Sequence, residues 1–480
     1  MEMSQEALEL KSYFQSYGQG HVFDYFEQLN ADQKDQLIEQ LKGIHLEELD
    51  GLIQTHVLKT EATGGMDYTQ LSPSNYIPYP TNDETQALWD EAEVIGKQAI
   101  KGGRVAAFTV AGGQGTRLGF DGPKGTFEIA PISRKSLFEV FADKISRASE
   151  RFETRIPWFI MTSQLNHQAT IELFKDHAFF GFDPESIHFF SQELIPSVNL
   201  QGKIILEEQG KIAMAPNGHG GSLRALSKSG SIERMREQGI DILSYFQVDN
   251  PMISCIDPTF VGFHVMNQSE LSSKMVAKTY ASEKVGLFCN YKGRDMIVEY
   301  SDLPQSYQEQ LAPDGALLYN AGNVAVHLFD RDFIERLGNE SSEEKLAFHK
   351  AFKKIPYYDG EKGMLQTEQN NGVKFEMFVF DALPKANHSI IVEGLREDTF
   401  SPVKNAEGVD SPQSCKDAMS RQALRWLNKV EAQVNSDPSD ETIVTVEMNF
   451  RFAMDESDFI DQWNKLETKP EIKDGCIIGE

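Results

Sequence analysis

The sequence predicts an α/β protein built on a doubly wound, mainly parallel sheet, and two observations lead there. From about Val105 to Val248, short unbroken apolar runs of strand length alternate with stretches that carry apolar residues at helical spacing. Such alternation gives parallel strands joined by crossover helices. The residues with the most chemical character also fall just after the apolar runs, and open α/β sheets bind ligands beyond the carboxyl ends of their strands.

The N-terminal stretch reads as helical. Leu37, Ile38, Leu41 and Ile44 follow Asn30-Ala31-Asp32-Gln33, where Asn30 can cap the helix and Gln33 can reach back to it. A short helix with Leu49, Leu52 and Ile53 on one face comes next. From Gly64 to Thr85 the chain turns rich in Pro, Tyr and Ser (Ser72-Pro73-Ser74-Asn75-Tyr76-Ile77-Pro78-Tyr79-Pro80), which suits an extended surface connector at a domain boundary. Val105 to Val110 is the first buried strand, and Leu137, Phe138, Phe141 and Ile145 mark a helix. Trp158 to Met161 is the next strand, Ile171 to His177 a helix, Ile187 to Phe190 a strand and Leu243 to Val248 a further one. The tail carries a helix from Ala418 to Val430, then Thr442 to Val446 and Gly475 to Ile478 as short strands. The expected division is a helical domain with its connector over 1–90, the sheet-bearing domain over 91–400 and a small α+β domain over 401–480.

Composition narrows the function. Hydrophobic residues make up 40% and charged residues 25%, and no segment approaches the roughly 18 apolar residues of a membrane span, so a soluble protein with no membrane partner is expected. The opening Met1-Glu2-Met3-Ser4-Gln5-Glu6 lacks the basic-then-apolar order of a signal peptide, and the four cysteines lie far apart. A reducing cytoplasm and no zinc site follow as expectations. The formal net charge of −27 argues against nucleic acid, whose binding needs clustered Lys and Arg. It also means that any phosphate ligand must be met by local positive charge and aligned N–H groups.

The sharpest feature is Ala111-Gly112-Gly113-Gln114-Gly115-Thr116-Arg117-Leu118-Gly119, followed by Pro123-Lys124-Gly125, directly after the first buried strand. Glycines there allow positive φ and close backbone approach, so that N–H groups can wrap phosphates while Arg117 and Lys124 neutralise them. It is neither the Walker loop, which needs Gly-Lys-Ser/Thr, nor the dinucleotide fingerprint. A glycine-rich turn taken alone is as readily just a tight turn. The basic residues on either side of the second turn weigh against that reading. Asp249 closes an apolar run beside Asn250, where a carboxylate suits Mg²⁺ and equally suits a helix cap.

These residues resemble the signature of the eukaryotic-type UDP-sugar pyrophosphorylases, nearest to the enzymes for UDP-N-acetylglucosamine. Lys203 to Glu208, Met214-Ala215-Pro216, Val248-Asp249-Asn250, Val298 to Ser301, Asn320-Ala321-Gly322-Asn323, Phe378 to Asp381 and Ser401 to Ala406 recur in the family's order. The resemblance implies a Rossmann-like nucleotidyltransferase core with small N- and C-terminal domains, acting on UTP and a sugar 1-phosphate. It implies that Gly112, Gly113, Gly115 and Thr116 hold the nucleotide with Arg117 and Lys124, that Gln192 and Gly218 bind the uracil edge, that Asp249 binds Mg²⁺ and that Lys404 meets the phosphates opposite Lys124. Glu299 can accept hydrogen bonds from sugar hydroxyls, Asn320 and Asn323 can address the sugar or an acetamido group, and Phe378 and Phe380, spaced by two in an expected strand, can wall a methyl. At His219 the chain departs from the N-acetylglucosamine enzymes, which carry Asn, and matches glucose-specific relatives with a similar Gly-His-Gly. The expected product is therefore UDP-N-acetylglucosamine, with a UDP-glucose or broad-specificity enzyme as the alternative. A glycosyltransferase would carry two aspartates flanking one residue at this strand end, whereas Asp249-Asn250-Pro251 stands here.

Overall fold

The computed structural model describes residues 3–59, 66–339, 342–435 and 444–480, so Thr442 and Ile443 of the last expected strands lie outside the described residues. The chain groups into two compact units, and the grouping does not follow chain order. The larger contains Tyr68–Ser191, Leu223–Lys345 and Phe380–Glu480; the smaller contains Met1–Asp67, Gln192–Ser222 and Leu346–Val379.

The larger unit is organised by a 10-stranded sheet. Its strands are β1 (Leu71–Pro73), β2 (Val105–Val110), β3 (Trp158–Thr162), β4 (Ile187–Ser191), β5 (Ile242–Gln247), β6 (Leu271–Ala277), β7 (Leu287–Tyr291), β8 (Arg294–Val298), β9 (Ala321–Asp330) and β10 (Ser389–Glu393). The path runs β1-β7-β9-β5-β2-β3-β4, with β6 joining β9 to β10 and β8 pairing β7. Strands β5, β2, β3 and β4 are mutually parallel, as the alternation predicts. Every residue of β2 and of β3 is buried, the pattern of strands covered on both faces. β9 enters antiparallel to β5, β6 and β7, making the sheet mixed. The extended Pro-rich segment does more than connect: Leu71–Pro73 pairs with β7, and Ile77 exchanges backbone hydrogen bonds with Ile391 and Glu393 of β10.

The helices of the larger unit include α1 (Asp83–Lys101), α2 (Leu137–Arg151), α3 (Pro258–Met266) and α4 (Pro412–Lys429), with α5 (Glu456–Lys465) in the tail; a further helix, His167–Asp176, lies between β3 and β4 as the sequence predicts. α2 starts at Ser136, whose hydroxyl accepts from Glu139 N–H in a reciprocal capping box. The tail is tied to the core by ionic bonds. Glu447, 4% exposed, accepts from Ile132 N–H, Ser133 N–H and the Ser133 hydroxyl at 2.6–2.8 Å, and Asp458 takes a two-pronged bond from Arg147 of α2 at 2.8 Å.

In the smaller unit, helices Gln5–Ser16, Ala31–Lys42 and Leu46–Leu52 enclose a core of Phe14, Phe23, Leu37, Leu41, Val198 and Phe375. Asn30 and Gln33 form the capping box that their spacing predicts. A three-stranded antiparallel sheet of Phe348–Lys353, Gly372–Met377 and Val198–Asn199 completes the unit.

α1 and α3 approach so closely that glycine is needed on both. A Cβ on Gly96 would collide with the Pro258 carbonyl, and one on Gly262 with that of Ala92. Because both obstacles are backbone, neither can yield by changing rotamer. Gly262→Ala should cost about 3 kcal/mol and lower Tm by about 3–4 °C. Gly51→Ala, in a helix with open space around the site, should leave Tm level or raise it. Equal melting of both variants in a thermal scan would contradict the close crossing.

Candidate active site

β2 and β5 are parallel neighbours in the register Gln247↔Val110, and Val248 N–H continues the ladder to the Val110 carbonyl at 3.1 Å. The glycine loop and Asp249 therefore leave the sheet side by side at the carboxyl ends of adjacent parallel strands. The loop closes on itself: Gly115 N–H donates to Gly122 O (2.9 Å) and Lys124 N–H to Gly113 O (3.1 Å). Its base is held by Asn166, 1% exposed, whose amide donates to Ala111 O (2.9 Å) and Gly113 O (3.2 Å) while its oxygen accepts from Ser163 N–H. The glycines divide their work. Gly119 supplies the left-handed turn at φ +68°, Gly115 at φ −79° makes room for Phe120, and a side chain on Gly113 would meet nothing within 4 Å, leaving its backbone open to a ligand. Thr116 and Arg117 sit exposed on the one-turn helix Thr116–Leu118, and Arg117 has no ion-pair partner among the described residues.

Lys124 reaches across to Asp249, Nζ to Oδ2 at 3.4 Å, with the two side chains 15% and 16% exposed. Asp249 then shares a cavity of about 60 Å³ with Gln247, Asn323, Phe400, Pro402 and Lys404. Thus the expected carboxylate, both lysines and one expected sugar residue come together in the larger unit. Lys404 is exposed, its Nζ 5.6 Å from the Phe400 ring centre. Beneath the Asp249 loop, Lys144 of α2 is 3% exposed, and its Nζ donates to the carbonyls of Pro251 (2.6 Å) and Ile253 (2.8 Å), 4.1 Å from the Phe450 ring centre. Burial pushes its pKa down to about 8.

Glu299, Asn320 and Asn323 gather at the same ends of β8 and β9. Asn323 N–H donates to Gly286 O (2.8 Å), and a side chain at Gly286 would press on Glu299 Oε1. Burial raises the Glu299 pKa, Asp302 adds to the rise and Lys404 opposes it. Asn320 O accepts from Lys278 N–H at 2.9 Å. Asn323 Oδ1 accepts from Ala325 N–H (3.0 Å), supporting a β-bulge in which Ala325 takes φ +55°. That bond commits the oxygen of the Asn323 amide and leaves its NH₂ to donate elsewhere.

The remaining expected residues, apart from Phe380, belong to the smaller unit. Gln192 is buried at 5%. Gly218, at φ +82°, lies where a side chain would strike the Met377 backbone, and Gly220 N–H donates to Met377 O at 2.8 Å. His219 accepts from Val379 N–H through Nδ1 (3.2 Å), which places the proton of the neutral ring on Nε2, and it faces Phe378 at 5.5 Å. His349 stacks on Phe378 at 4.8 Å. The expectation of a strand through Phe378 and Phe380 is corrected: the strand ends at Met377, a 3₁₀ helix runs from Val379 to Lys385, and Phe380 belongs to the larger unit. The alternating side-chain directions of a strand therefore do not govern the pair.

Among the described residues no group of three or more His, Cys, Asp or Glu could hold a metal unaided. Asp249 offers a single carboxylate, which is all that a Mg²⁺ completed by phosphate oxygens and water asks of the protein, so the residue fits such an ion. No helix among the described residues is long and apolar enough to cross a membrane.

A glycine loop and a lysine–carboxylate pair at parallel strand ends, with a second lysine in the carboxylate's cavity, suit a protein that handles a nucleotide's phosphates. Comparison with known proteins makes this particular. A family model described as UTP–glucose-1-phosphate uridylyltransferase matches residues 59–473. The human "UDP-N-acetylhexosamine pyrophosphorylase-like protein 1" is 40% identical over 361 residues, 74% of this chain and 70% of that protein. The "UDP-N-acetylglucosamine pyrophosphorylase" of Saccharomyces cerevisiae is 32% identical over 460 residues, 92% of this chain and 95% of that one. In fold, the chain matches the crystal structure of the uridine diphosphate N-acetylglucosamine pyrophosphorylase from Trypanosoma brucei, with a TM-score of 0.81, 24% identity and 98% of each chain covered. The chain belongs to the UTP–glucose-1-phosphate uridylyltransferase family and is a uridylyltransferase.

Lys124→Ala should lower kcat/KM for nucleotidyl transfer by roughly 100- to 1000-fold, the effect of losing one preorganised charge contact. Lys404→Ala should do the same with Tm nearly unchanged, since its side chain is exposed. Steady-state kinetics and melting curves check both, and wild-type kinetics in either folded variant would make that lysine a surface residue.

Proposed function

We propose that the enzyme joins UTP to N-acetylglucosamine 1-phosphate and releases pyrophosphate and UDP-N-acetylglucosamine. The observation that carries the reading is the Lys124–Asp249 pair at adjoining strand ends with Lys404 in the same cavity. An oxygen of the sugar 1-phosphate attacks the α-phosphorus of UTP in line; the new P–O bond forms as the bond to the β-phosphate oxygen breaks, and pyrophosphate carries away the electron pair. The nucleophile is already ionised near neutral pH, so no general base or covalent residue is needed. The barrier is the mutual repulsion of two anions, which positioning and fixed charge reduce. Arg117 and Lys124 hold the leaving pyrophosphate, Lys404 holds the sugar phosphate, and the backbone of Gly112, Gly113, Gly115 and Thr116 lines the nucleotide. Gln192 and Gly218 read the uracil edge. Asp249 would hold Mg²⁺, which would neutralise phosphate charge when bound.

The acetamido preference rests on the NH₂ of Asn323, which has no hydrogen-bond partner among the described residues and can donate to an acyl oxygen; the family resemblance assigns Phe378 and Phe380 to the methyl, and Glu299 and Asn320 to sugar hydroxyls. The yeast relative's name points the same way. His219 favours the second reading, a UDP-glucose or broad-specificity enzyme. Four unpaired cysteines support a reducing compartment, the cytoplasm.

Pyrophosphate release with UTP over a panel of sugar 1-phosphates decides between the two. We expect kcat/KM for N-acetylglucosamine 1-phosphate to exceed that for glucose 1-phosphate by more than the roughly 1–3 kcal/mol that methyl contact alone supplies. Asn323→Ala should narrow the ratio, and since loss of the Ala325 bond burdens both substrates alike, the ratio isolates the amide's contact with substrate. Equal or better use of glucose 1-phosphate by the wild type would establish the alternative.

A further inference from the structure

Asn250 follows Asp249 and is 4% exposed. Its Nδ2 donates to the Thr399 carbonyl at 2.8 Å, and its Oδ1 accepts from Ser401 N–H at 3.2 Å. A third bond runs in parallel, from Val403 N–H to the Asp249 carbonyl at 2.8 Å. Two consecutive residues at the exit of β5 are thus strapped to a segment about 150 positions further along the chain. The next residue of that segment is Lys404, and the Asp249 and Lys404 side chains line one cavity. Lys144 braces the same exit by holding the Pro251 and Ile253 carbonyls.

The residue type suits the task. A carboxamide places a donor and an acceptor on one small planar group. Aspartate would turn an acceptor toward the Thr399 carbonyl, and alanine would leave a buried carbonyl and N–H without partners. We infer that Asn250 is a positioning residue for nucleotidyl transfer, which sets the separation of the Asp249 carboxylate and the Lys404 ammonium by strapping the 399–404 segment to the end of β5. The inference rests on the role proposed above for Lys404.

Asn250→Ala tests it with two readouts, one of which needs no turnover. In hydrogen exchange of the full-length protein, the peptide holding Ser401 and Val403 should exchange about 10-fold faster or more, while β2 and β3 keep their protection. In a kinetic cycle with UTP and N-acetylglucosamine 1-phosphate, Asn250→Ala should lower kcat at least ~10-fold in the wild-type background. In the Lys404→Ala background it should add less than about 2-fold, because the lysine that it places is gone. A purely structural asparagine would multiply the two losses. If Asn250→Ala does not fold, Asn250→Asp, which keeps the acceptor for Ser401 and loses the donor to Thr399, is read in the same two ways. Unchanged exchange in the 399–404 segment, or multiplicative losses in the cycle, would overturn the inference. If the wild type turned over no sugar 1-phosphate, the functional reading would fall, and the exchange result would still decide whether Asn250 straps the segment.

Discussion

The ion pair between Lys124 and Asp249 is the constraint around which the larger unit is arranged. A chain with a formal net charge of −27 presents a repulsive field to any polyphosphate, so binding depends on a few cations held where the ligand's charge arrives. Lys124 is fixed by the closure of the glycine loop, since its own N–H is bonded to Gly113. Asp249 is fixed by the β2–β5 register. Each side chain is mostly covered, so their attraction is less screened than that of a surface pair. Pairing them also keeps either charge from being left alone in a partly dry site before ligands bind.

The supports of this pair are ordinary residues in unusual company. Asn166 holds the glycine loop from one flank, Lys144 holds the loop after Asp249 from below, and the bonds of Asp249 and Asn250 to the 399–403 segment bring Lys404 to the same cavity. The tail reinforces the arrangement, since Phe450 covers Lys144 and Asp458 anchors α5 to α2. Activity is thereby linked to segments that touch no substrate. The same economy shows at Asn323, whose amide oxygen maintains a bulge while its NH₂ stays available.

Local signals were the legible ones. The buried run Val105–Val110, the Asn30–Gln33 capping box and the placing of Asp249 at a strand end follow from neighbours within a few residues, and the structure has all three. Long-range pairing was not legible. Nothing in Ala321–Asp330 announces a strand that runs antiparallel through a largely parallel neighbourhood, because direction is set by partners. The smaller unit gathers three separated stretches of chain, which no composition shift marks. Phe378 and Phe380 illustrate the hazard of extending a period of two past a strand end. Asn166, Asn250 and Lys144 draw no role from the sequence because an amide or a lysine gains meaning only from carbonyls brought to it by the fold. Asn166, four residues past β3, carried the one available hint, a turn-forming residue beyond the carboxyl end of a parallel strand.

The most direct test of this account is to locate the divalent ion. Crystals grown with UTP and Mn²⁺ in place of Mg²⁺ should give an anomalous peak in coordination contact with the Asp249 carboxylate and a phosphate oxygen, with Lys124 drawn off Asp249 onto the phosphates. A peak on the triphosphate away from Asp249, with the Lys124–Asp249 pair intact, would contradict it.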